Sequence, residues 1–349
     1  MIITNEMLAA AFQYRDTEIW RILADNDVFA FRLSDGEIGY CSIMGHGGEH
    51  LALGFYRGEK GFATYLKGLT MMRGSEYETF ETVVTFDCIN CDFMSASDLD
   101  NKVKKIIREY ADANGLKIRR PKGWPDFTRH QPGRAQYGIT REEDARDITE
   151  ALHAALAVAE KVITEDLESA GFSVKATYPT IKGGKSVPYL IPNGDGTYEW
   201  STTKLPAFVP DKYDVVEFDN DVLAHAMKAL PALGTLQMRL IHIPTLLGGS
   251  EDEAPFFPTV MLCVEAETGN VFPVTSVEDV EENSMQILVQ LARIFSKSNA
   301  KPQRIEVEDA KTESFLKDFC QRSGIALSRK HTLPELFDAW TAILDNFMR

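Results

Sequence analysis

Two cysteines three residues apart are the first side chains in this sequence with metal-binding chemistry. Cys88 and Cys91 form a CxxC pair, and Cys41, His46 and His50 would supply the other ligands of a zinc site. The surrounding stretch, TVVTFDCINCDFM, is rich in β-branched and apolar residues, which predicts a strand. Side chains three apart in a strand point to opposite faces. We therefore predict buried thiols and no metal or other cofactor, with a zinc-binding module as the alternative.

A basic and aromatic segment is the second candidate. From Lys117 to Gly138 the chain reads KIRRPKGWPDFTRHQPGRAQYG, and its prolines predict an ordered loop without regular structure. Such a segment can grip phosphates while an aromatic ring stacks on a base. We favour the alternative, in which the aromatic rings anchor the loop to the core and the arginines meet the acidic surface of the other domain. The residues of this candidate binding surface are Arg119, Arg120, Trp124, Phe127, Arg129 and Arg134.

The elements that must position these side chains begin with a mixed α+β region. Apolar residues at helical spacing predict a helix over 4–23, and Asp35-Gly36 between alternating apolar residues predicts a hairpin. A long amphipathic helix from about Arg141 to Ser169 closes a first domain of residues 1–171. Residues 172–220 are predicted to form a hairpin and an acidic linker.

The last part of the chain has a distinctive order of elements. Residues 221–349 are predicted to form three strands, a helix, a strand, a helix, a strand and a closing helix. This βββαβαβα order is that of a ribonuclease H-like domain, so the fold class is α+β. Since helical crossovers require parallel return, we expect the strand at 304–308 to pair parallel with the first strand of this domain.

An active nuclease on this fold would need carboxylates on the first strand, at the end of the fourth and on the last helix, to hold two metal ions. Asp309 fits the second position, and Glu335 or Asp338 fits the third. The first strand offers Arg239 and His242 but no acid. We therefore interpret Asp309 as a helix N-cap and predict that the protein does not cleave nucleic acid.

Several phrases of the sequence resemble a known family. The stretches DVFAFRLSDGEIGYCSIMGHGGEHLALGFYRGEKG, DCINCDF and WPDFTRHQPGR are similar to the N-terminal part of a family of uncharacterised bacterial proteins. Members of that family pair two domains of unknown function, and the last part of this chain resembles the second one. The resemblance implies a bacterial two-domain protein and no particular activity.

Composition narrows the function classes. The 349 residues contain 44% hydrophobic and 26% charged residues, which are ordinary globular values. The net charge of −15 argues against nucleic acid or an anionic membrane as the partner, because phosphate binding needs a positive surface. With no spanning segment and no signal peptide, we expect a cytoplasmic protein.

These observations favour a non-catalytic binding or interaction protein. The sequence does not identify the partner, and the options it leaves open are another protein and a second copy of the chain. A metal-dependent phosphodiesterase or nuclease that uses the C-terminal domain is the alternative.

Overall fold

A computed structural model describes residues 1–71, 76–173, 181–207, 209–249, 254–272 and 276–347. They form two compact units: a first domain of Met1–Gly74 and Thr85–Val209, and a second domain of Ser75–Val84 and Pro210–Arg349. Up to residue 209 the elements are α1 (Asn5–Thr17), β1 (Phe29–Arg32), β2 (Ile38–Met44), β3 (Ala52–Arg57), α2 (Gly58–Met71), α3 (Glu76–Val84), β4 (Cys88–Met94), α4 (Asn101–Ala113), β5 (Trp124–His130), β6 (Tyr137–Gly138), α5 (Glu142–Thr164), β7 (Ser186–Pro192) and β8 (Tyr198–Lys204). The elements after residue 209 are α6 (Asp221–Ala229), β9 (Thr235–His242), β10 (Thr259–Glu265), β11 (Val271–Phe272), β12 (Ser276–Val277), α7 (Ser284–Lys297), β13 (Arg304–Val307), α8 (Ala310–Ser323), β14 (Ala326–Arg329) and α9 (Pro334–Phe347).

The first domain is built on an eight-stranded sheet in the order β6-β5-β4-β3-β2-β1-β7-β8. Its neighbouring strands are antiparallel except for β1 and β7, which are parallel. Helices α1, α4 and α5 pack with one face of the sheet in a large apolar cluster, and α2 packs with the other face. The alternation of side chains along each strand supplies both faces with apolar residues.

The segment predicted to be an irregular loop contains two strands, so that prediction is wrong. Residues 124–130 form β5, which pairs along its whole length with β4, and residues 137–138 form β6. Pro125, the second residue of β5, lies opposite Phe93. A proline near the start of a strand is compatible with pairing, which is why reading it as a breaker misled the prediction.

The predicted strand that contains the cysteines begins later than expected. Residues 82–84 belong to helix α3, and the strand β4 starts at Cys88. Val84 is buried in this helix. Tertiary packing has therefore overridden the β-propensity of the Thr-Val-Val run, because such propensities are small and depend on context.

The predicted hairpin after residue 172 is present as β7 and β8, joined around residues 193–196. The structure places it in the sheet of the first domain, where β7 pairs with β1. The acidic residues from Pro210 onward group with the second domain. They lead into α6, a helix that the sequence analysis did not predict although Asn220 caps it through the Leu223 amide.

The second domain has the predicted ribonuclease H-like topology. The main path of its sheet runs β11-β10-β9-β13-β14, and β12 pairs with β10. The first three strands are antiparallel, and β13 is parallel to both β9 and β14, which confirms the expected pairing of residues 304–308. The third strand of this domain is described as the two segments β11 and β12, since residues 273–275 between them lie outside the described residues.

Helices pack against both faces of this second sheet. Residues of α6, α7 and α8 share one apolar cluster with Leu236, Met238 and Leu240 of β9. Trp340 of α9 belongs to a separate cluster that contains Ile241 of the same strand. None of the helices in the described part of the chain combines the length with the apolar character that a membrane span requires.

Candidate functional site

Asp309 has the structural role that its position after a strand predicts. It is the N-cap of α8, and its carboxylate accepts hydrogen bonds from the Thr312 amide and the Thr312 hydroxyl, each at 2.8 Å. A carboxylate at this position satisfies a free amide and faces the positive end of the helix dipole. The interpretation of Asp309 as a helix cap is confirmed.

A guanidinium stands on the strand where a two-metal nuclease would need an acid. Arg239 of β9 forms an ion pair with Glu308, and its Nε lies 3.6 Å from a carboxylate oxygen of Asp309. The negative charge at the end of β13 is therefore already balanced by a side chain of the protein. A metal ion at this point would have to compete with Arg239 and would be repelled by it.

The other two candidate carboxylates do not converge on a common metal position either. Glu335 of α9 accepts a hydrogen bond from the Gln237 side chain at 2.9 Å. The Gln237 side-chain oxygen in turn accepts a hydrogen bond from the Leu336 amide at 3.0 Å. Asp338 is exposed on the same helix. Among the described residues, no group of three or more His, Cys, Asp or Glu side chains has the geometry to hold a metal ion.

The cysteines of the CxxC pair lie on opposite faces of the first sheet, as their spacing predicts. Cys91 belongs to the apolar cluster that α1 and α5 share, together with Cys41, whereas Cys88 belongs to the cluster under α2. Burial raises the pKa of the Cys88 thiol to about 12, and it also raises the pKa values of Cys41 and Cys91. Zinc is bound by thiolates, so burial opposes metal binding by each of these side chains.

The two histidines proposed as further zinc ligands have separate partners. His50 Nε2 lies 2.9 Å from Asp92 Oδ1, and the hydrogen bond to that buried carboxylate raises the pKa of His50. His46 Nδ1 lies 3.2 Å from the carbonyl oxygen of Trp20. The structure therefore does not bring these histidines together with the cysteines.

The basic and aromatic segment is used largely inside the first domain. Trp124 and Phe127 are buried, which agrees with an anchoring role. Arg119 donates a hydrogen bond to Glu18 at 3.1 Å, and Arg129 donates one to Asp87 at 2.5 Å. Both arginines thus pair with acids of their own domain. Of the remaining members, Arg134 follows β5 in a turn and Arg120 lines a surface groove.

An open cleft of about 580 Å³ in the first domain gathers more charged side chains than any predicted site. It lies where β3 passes into α2, where β4 begins, where β5 ends and where α5 begins. We call it the charged cleft. Its charged lining residues are Glu37, Arg57, Glu59, Lys60, Asp87, Arg129, Arg141, Glu143, Asp144 and Asp147.

Arg57, the last residue of β3, links three carboxylates at this cleft. Its guanidinium donates to Asp35 and to Asp147, and it lies 3.6 Å from Glu143. Burial by itself would lower the pKa of Arg57, but the hydrogen bonds to the two aspartates outweigh burial and raise it. The side chain is therefore a permanent cation at the wall of the cleft.

The two aspartates bound by Arg57 have pKa values shifted in opposite directions. Asp147 of α5 is 1% exposed, and burial raises its pKa although Arg57 and Arg146 both favour the charged form. Asp35 is exposed, and its hydrogen bond with Arg57 lowers its pKa. Desolvation therefore dominates at the inner carboxylate and pairing dominates at the outer one.

A second charged group completes the wall of the cleft. Both oxygens of Asp144, which is 4% exposed, accept hydrogen bonds from the Arg141 guanidinium at 3.0 Å. Arg129 Nε lies 3.8 Å from the same carboxylate and makes no hydrogen bond there. Asp144 and Asp147 are three residues apart on α5, so they lie on one face of the helix.

The backbone at the rim of the cleft has a glycine where no other residue would fit easily. Gly58 joins β3 to α2 with a φ of +61°, and a Cβ atom there would lie 3.0 Å from a carboxylate oxygen of Glu37. Left-handed backbone is strained for residues with a side chain, and here the added carbon would also press on the lining. A glycine therefore keeps this corner open.

Sequence reasoning missed this cleft, although one local signal was present. The first turns of α5 carry Asp144 and Asp147 at a helical spacing that places two acids on one face, beside Arg141. Their partners Arg57 and Arg129 come from strands distant in sequence. Nothing in the local pattern indicates that those arginines meet this helix.

The fold and the cleft define a two-domain α+β protein with a ribonuclease H-like second domain. A family model described as "Domain of unknown function (DUF7309)" matches residues 5–175, and one described as "Domain of unknown function (DUF6930)" matches residues 223–344. The chain therefore combines these two domains, which confirms the predicted pairing of two domains of unknown function. None of the curated proteins compared with the chain matches it.

Two solved structures are similar to part of the chain. Both are titled as the HTLV-2 integrase catalytic core domain in complex with magnesium, one in a trimeric form and one in a dimeric form. They are 18% and 17% identical, cover 34% of this chain, and are covered over 70% and 71% of their own length, with TM-scores of 0.24 and 0.23. The ribonuclease H-like assignment rests on the strand order and not on this similarity.

Proposed function

We propose that this protein is a non-catalytic binding protein and that the charged cleft of its first domain holds its ligand. The observation that carries the proposal is the pair of buried carboxylates, Asp144 and Asp147, in the wall of an open cleft. Burying ionised groups is costly even when they are paired. Clefts that retain such groups, together with a shifted pKa, are the usual places for ligands.

The charges of the cleft indicate the class of ligand. Four cations and six carboxylates line it, so both signs are present within one cavity. A simple anion would face the carboxylates, and a simple cation would face the three arginines and the lysine. A small zwitterion, with a carboxylate and an ammonium or guanidinium group, satisfies both sets.

Some of the lining groups have room to bind. The Arg141 side chain is 56% exposed and uses only Nε and Nη2 for Asp144, which leaves Nη1 for a ligand carboxylate. The Glu143 side chain is 50% exposed, and its contact with Arg57 is long, at 3.6 Å. A ligand cation can therefore reach Glu143 without displacing a short ion pair.

Calorimetry with the purified full chain tests this proposal. The ligands are the zwitterions arginine, glutamate and glycine, compared with the single-charge fragments acetate and methylammonium. We expect at least one zwitterion to bind about tenfold or more tightly than either fragment. Arg141→Gln should weaken that binding about tenfold. Arg21→Gln, which removes an exposed arginine of the same domain that pairs with Glu18, is the matched control and should change it less than about twofold.

Two results would reject the proposal. One is the absence of binding for every zwitterion of the panel at millimolar concentration. The other is binding that Arg141→Gln leaves unchanged in a variant whose circular dichroism matches the parent.

The non-catalytic part of the proposal is supported by Arg239, which neutralises the acids at the end of β13. The competing function is metal-dependent cleavage of phosphodiesters by the second domain. Incubating the protein with single- and double-stranded DNA and RNA in Mn²⁺, at low and moderate salt, separates the two. We expect no cleavage, and cleavage that Asp309→Ala abolishes would establish the nuclease.

A further inference from the structure

A second cavity of about 580 Å³ lies in the first domain, between the C-terminal half of α4 and the segment that leads into β5. We call it the α4 groove. Its lining combines apolar surface with two guanidinium groups, from Arg108, Leu116, Ile118, Arg120, Pro121 and Trp124. It shares no lining residue with the charged cleft, so it is a separate site.

The two arginines of this groove differ from the other arginines discussed above. Arg57, Arg119 and Arg129 each form ion pairs with carboxylates. Arg108 and Arg120 are exposed, and neither has a carboxylate partner within the described part of the chain. The chain has 52 acidic and 37 basic residues, so two guanidinium groups without a carboxylate partner on one groove are unusual for it. They favour the binding of an anion in this groove.

One of these guanidinium groups lies over an aromatic ring. The Arg108 guanidinium carbon lies 5.5 Å from the centroid of the Trp124 ring. This cation–π contact positions the guanidinium, and its donors remain available to a ligand. Trp124 itself is 6% exposed, so the surface available to a planar ring is the arginine and not the indole.

The basic surface continues along α4. A neighbouring cavity of about 390 Å³ shares Arg108 and Asp112 with the groove and adds Lys104, Lys105 and Glu109, of which the last two lie 3.8 Å apart. Residues 101–134 contain ten Lys or Arg and three Asp or Glu. This stretch of sequence therefore has the opposite sign of charge to the chain as a whole, which has a net charge of −15.

We propose that the α4 groove binds a nucleotide, either free or as a unit of a single strand. Arginine forks match phosphate oxygens, and bases stack on guanidinium planes as well as on aromatic rings. The apolar floor suits the face of a base, and Asp112 is available as an acceptor for a ribose hydroxyl. This site goes beyond the zwitterion site of the charged cleft and does not depend on it.

The experiment compares ligands that contain one or both parts of a nucleotide. Calorimetry with the full chain uses AMP, adenosine and inorganic phosphate, and fluorescence anisotropy uses a labelled single-stranded oligouridylate. We expect AMP to bind about tenfold or more tightly than adenosine or phosphate. If the oligonucleotide binds more tightly than AMP and its binding weakens steeply with salt, the ligand of the groove is a single strand. If the oligonucleotide binds no more tightly than AMP, the ligand is a free nucleotide.

Variants test whether the groove is the site. Arg108→Gln and Arg120→Gln should each weaken AMP binding about fivefold or more. Lys102→Gln is the matched control, because it removes one cation from the same helix without changing a lining residue, and it should change binding less than about twofold. The charged-cleft variant Arg141→Gln should have no effect on AMP, which separates a failure of this site from a failure of the other.

Two results would overturn the proposal: no AMP binding at about 10 mM, or AMP binding that survives both arginine variants. Circular dichroism of each variant shows whether a loss of binding is a loss of fold.

Discussion

Two aspartates of this protein show that the environment of a residue, and not its type, determines the direction of its pKa shift. Asp35 and Asp147 bind the same guanidinium, that of Arg57, yet the pKa of the first is lowered by pairing and that of the second is raised by burial. Burial thus disfavours the charged form of the inner carboxylate, although Arg57 and Arg146 favour it. A costly group at a cleft is what a binding role would explain.

The opposite shifts predict opposite effects of neutralising each acid. The raised pKa of Asp147 means that the folded state binds its proton more tightly, so this group's contribution to the free energy of unfolding falls as pH rises past its ordinary value of 3.8. Asp147→Asn should therefore match or exceed the parent's stability at pH 7. Because the pKa of Asp35 is lowered, its ionised carboxylate stabilises the folded state at pH values above the ordinary pKa of 3.8. This stabilisation is lost as pH falls through the pKa of the folded state.

Asp35→Asn should lower the free energy of unfolding at pH 7 by less than about 1 kcal/mol, since the Asp35 side chain is exposed, and this effect should shrink as pH falls below the ordinary value of 3.8. Urea denaturation of the parent and both variants between pH 3 and pH 7 measures these differences. The interpretation fails if Asp147→Asn destabilises the protein more than Asp35→Asn at pH 7.

Arg239 is the residue that distinguishes the second domain from a metal-dependent nuclease. Its removal leaves Glu308 and Asp309 close together without a cation. Arg239→Ala should lower the free energy of unfolding by about 1 kcal/mol in urea denaturation. Arg304→Ala, which removes an exposed arginine at the start of β13, is the control and should change it by less than about 0.5 kcal/mol. Equal losses in the two variants would argue against a specific role of Arg239.

At the scale of elements, the alternation of side chains along strands was the most dependable guide. Ile89, Cys91 and Phe93 belong to one apolar cluster, and Cys88 belongs to the cluster on the opposite face. A period of two therefore located the cysteines correctly from sequence. The same reasoning did not recognise β5, because the proline and the charged residues of that strand hide its pattern.

The placement of the cysteines predicts that the CxxC pair binds no metal. Its thiols face different clusters, and burial keeps them protonated. Elemental analysis of protein purified without chelators should find less than about 0.1 zinc per chain. About one zinc per chain that is lost in Cys88→Ser would contradict this prediction and favour the zinc-binding module.

At the scale of the whole molecule, one helix belongs to a domain that its position in the chain does not suggest. Helix α3 lies between two segments of the first domain in sequence, yet it groups with the second. The Phe80 ring centroid lies 5.5 Å from that of Phe257 and 6.4 Å from that of Trp340. Glu81 accepts a hydrogen bond from the His242 amide at 2.7 Å and lies 3.0 Å from His242 Nδ1.

This placement predicts that a change in α3 destabilises the second domain. Phe80→Ala should lower the stability of β9 and β10 by about 2 kcal/mol, because it removes a partly buried ring from their apolar cluster. Hydrogen exchange measured by mass spectrometry should show faster opening of these strands and unchanged protection of β2 to β4. Val83→Ala alters an exposed residue of the same helix and should leave both domains unchanged. Faster exchange of β2 to β4 with protected β9 and β10 would refute the assignment.

The sequence by itself determined the order of elements in the second domain, the opposite orientation of the two cysteines and the capping role of Asp309. Each of these follows from local periodicity or from a residue's position beside a helix, so no distant partner is needed. Only the tertiary structure decided that Arg57 and Arg129 meet the acids of α5, and that α3 joins the second sheet. Ion pairing and burial depend on which segments come together in space, and a local pattern does not contain that information.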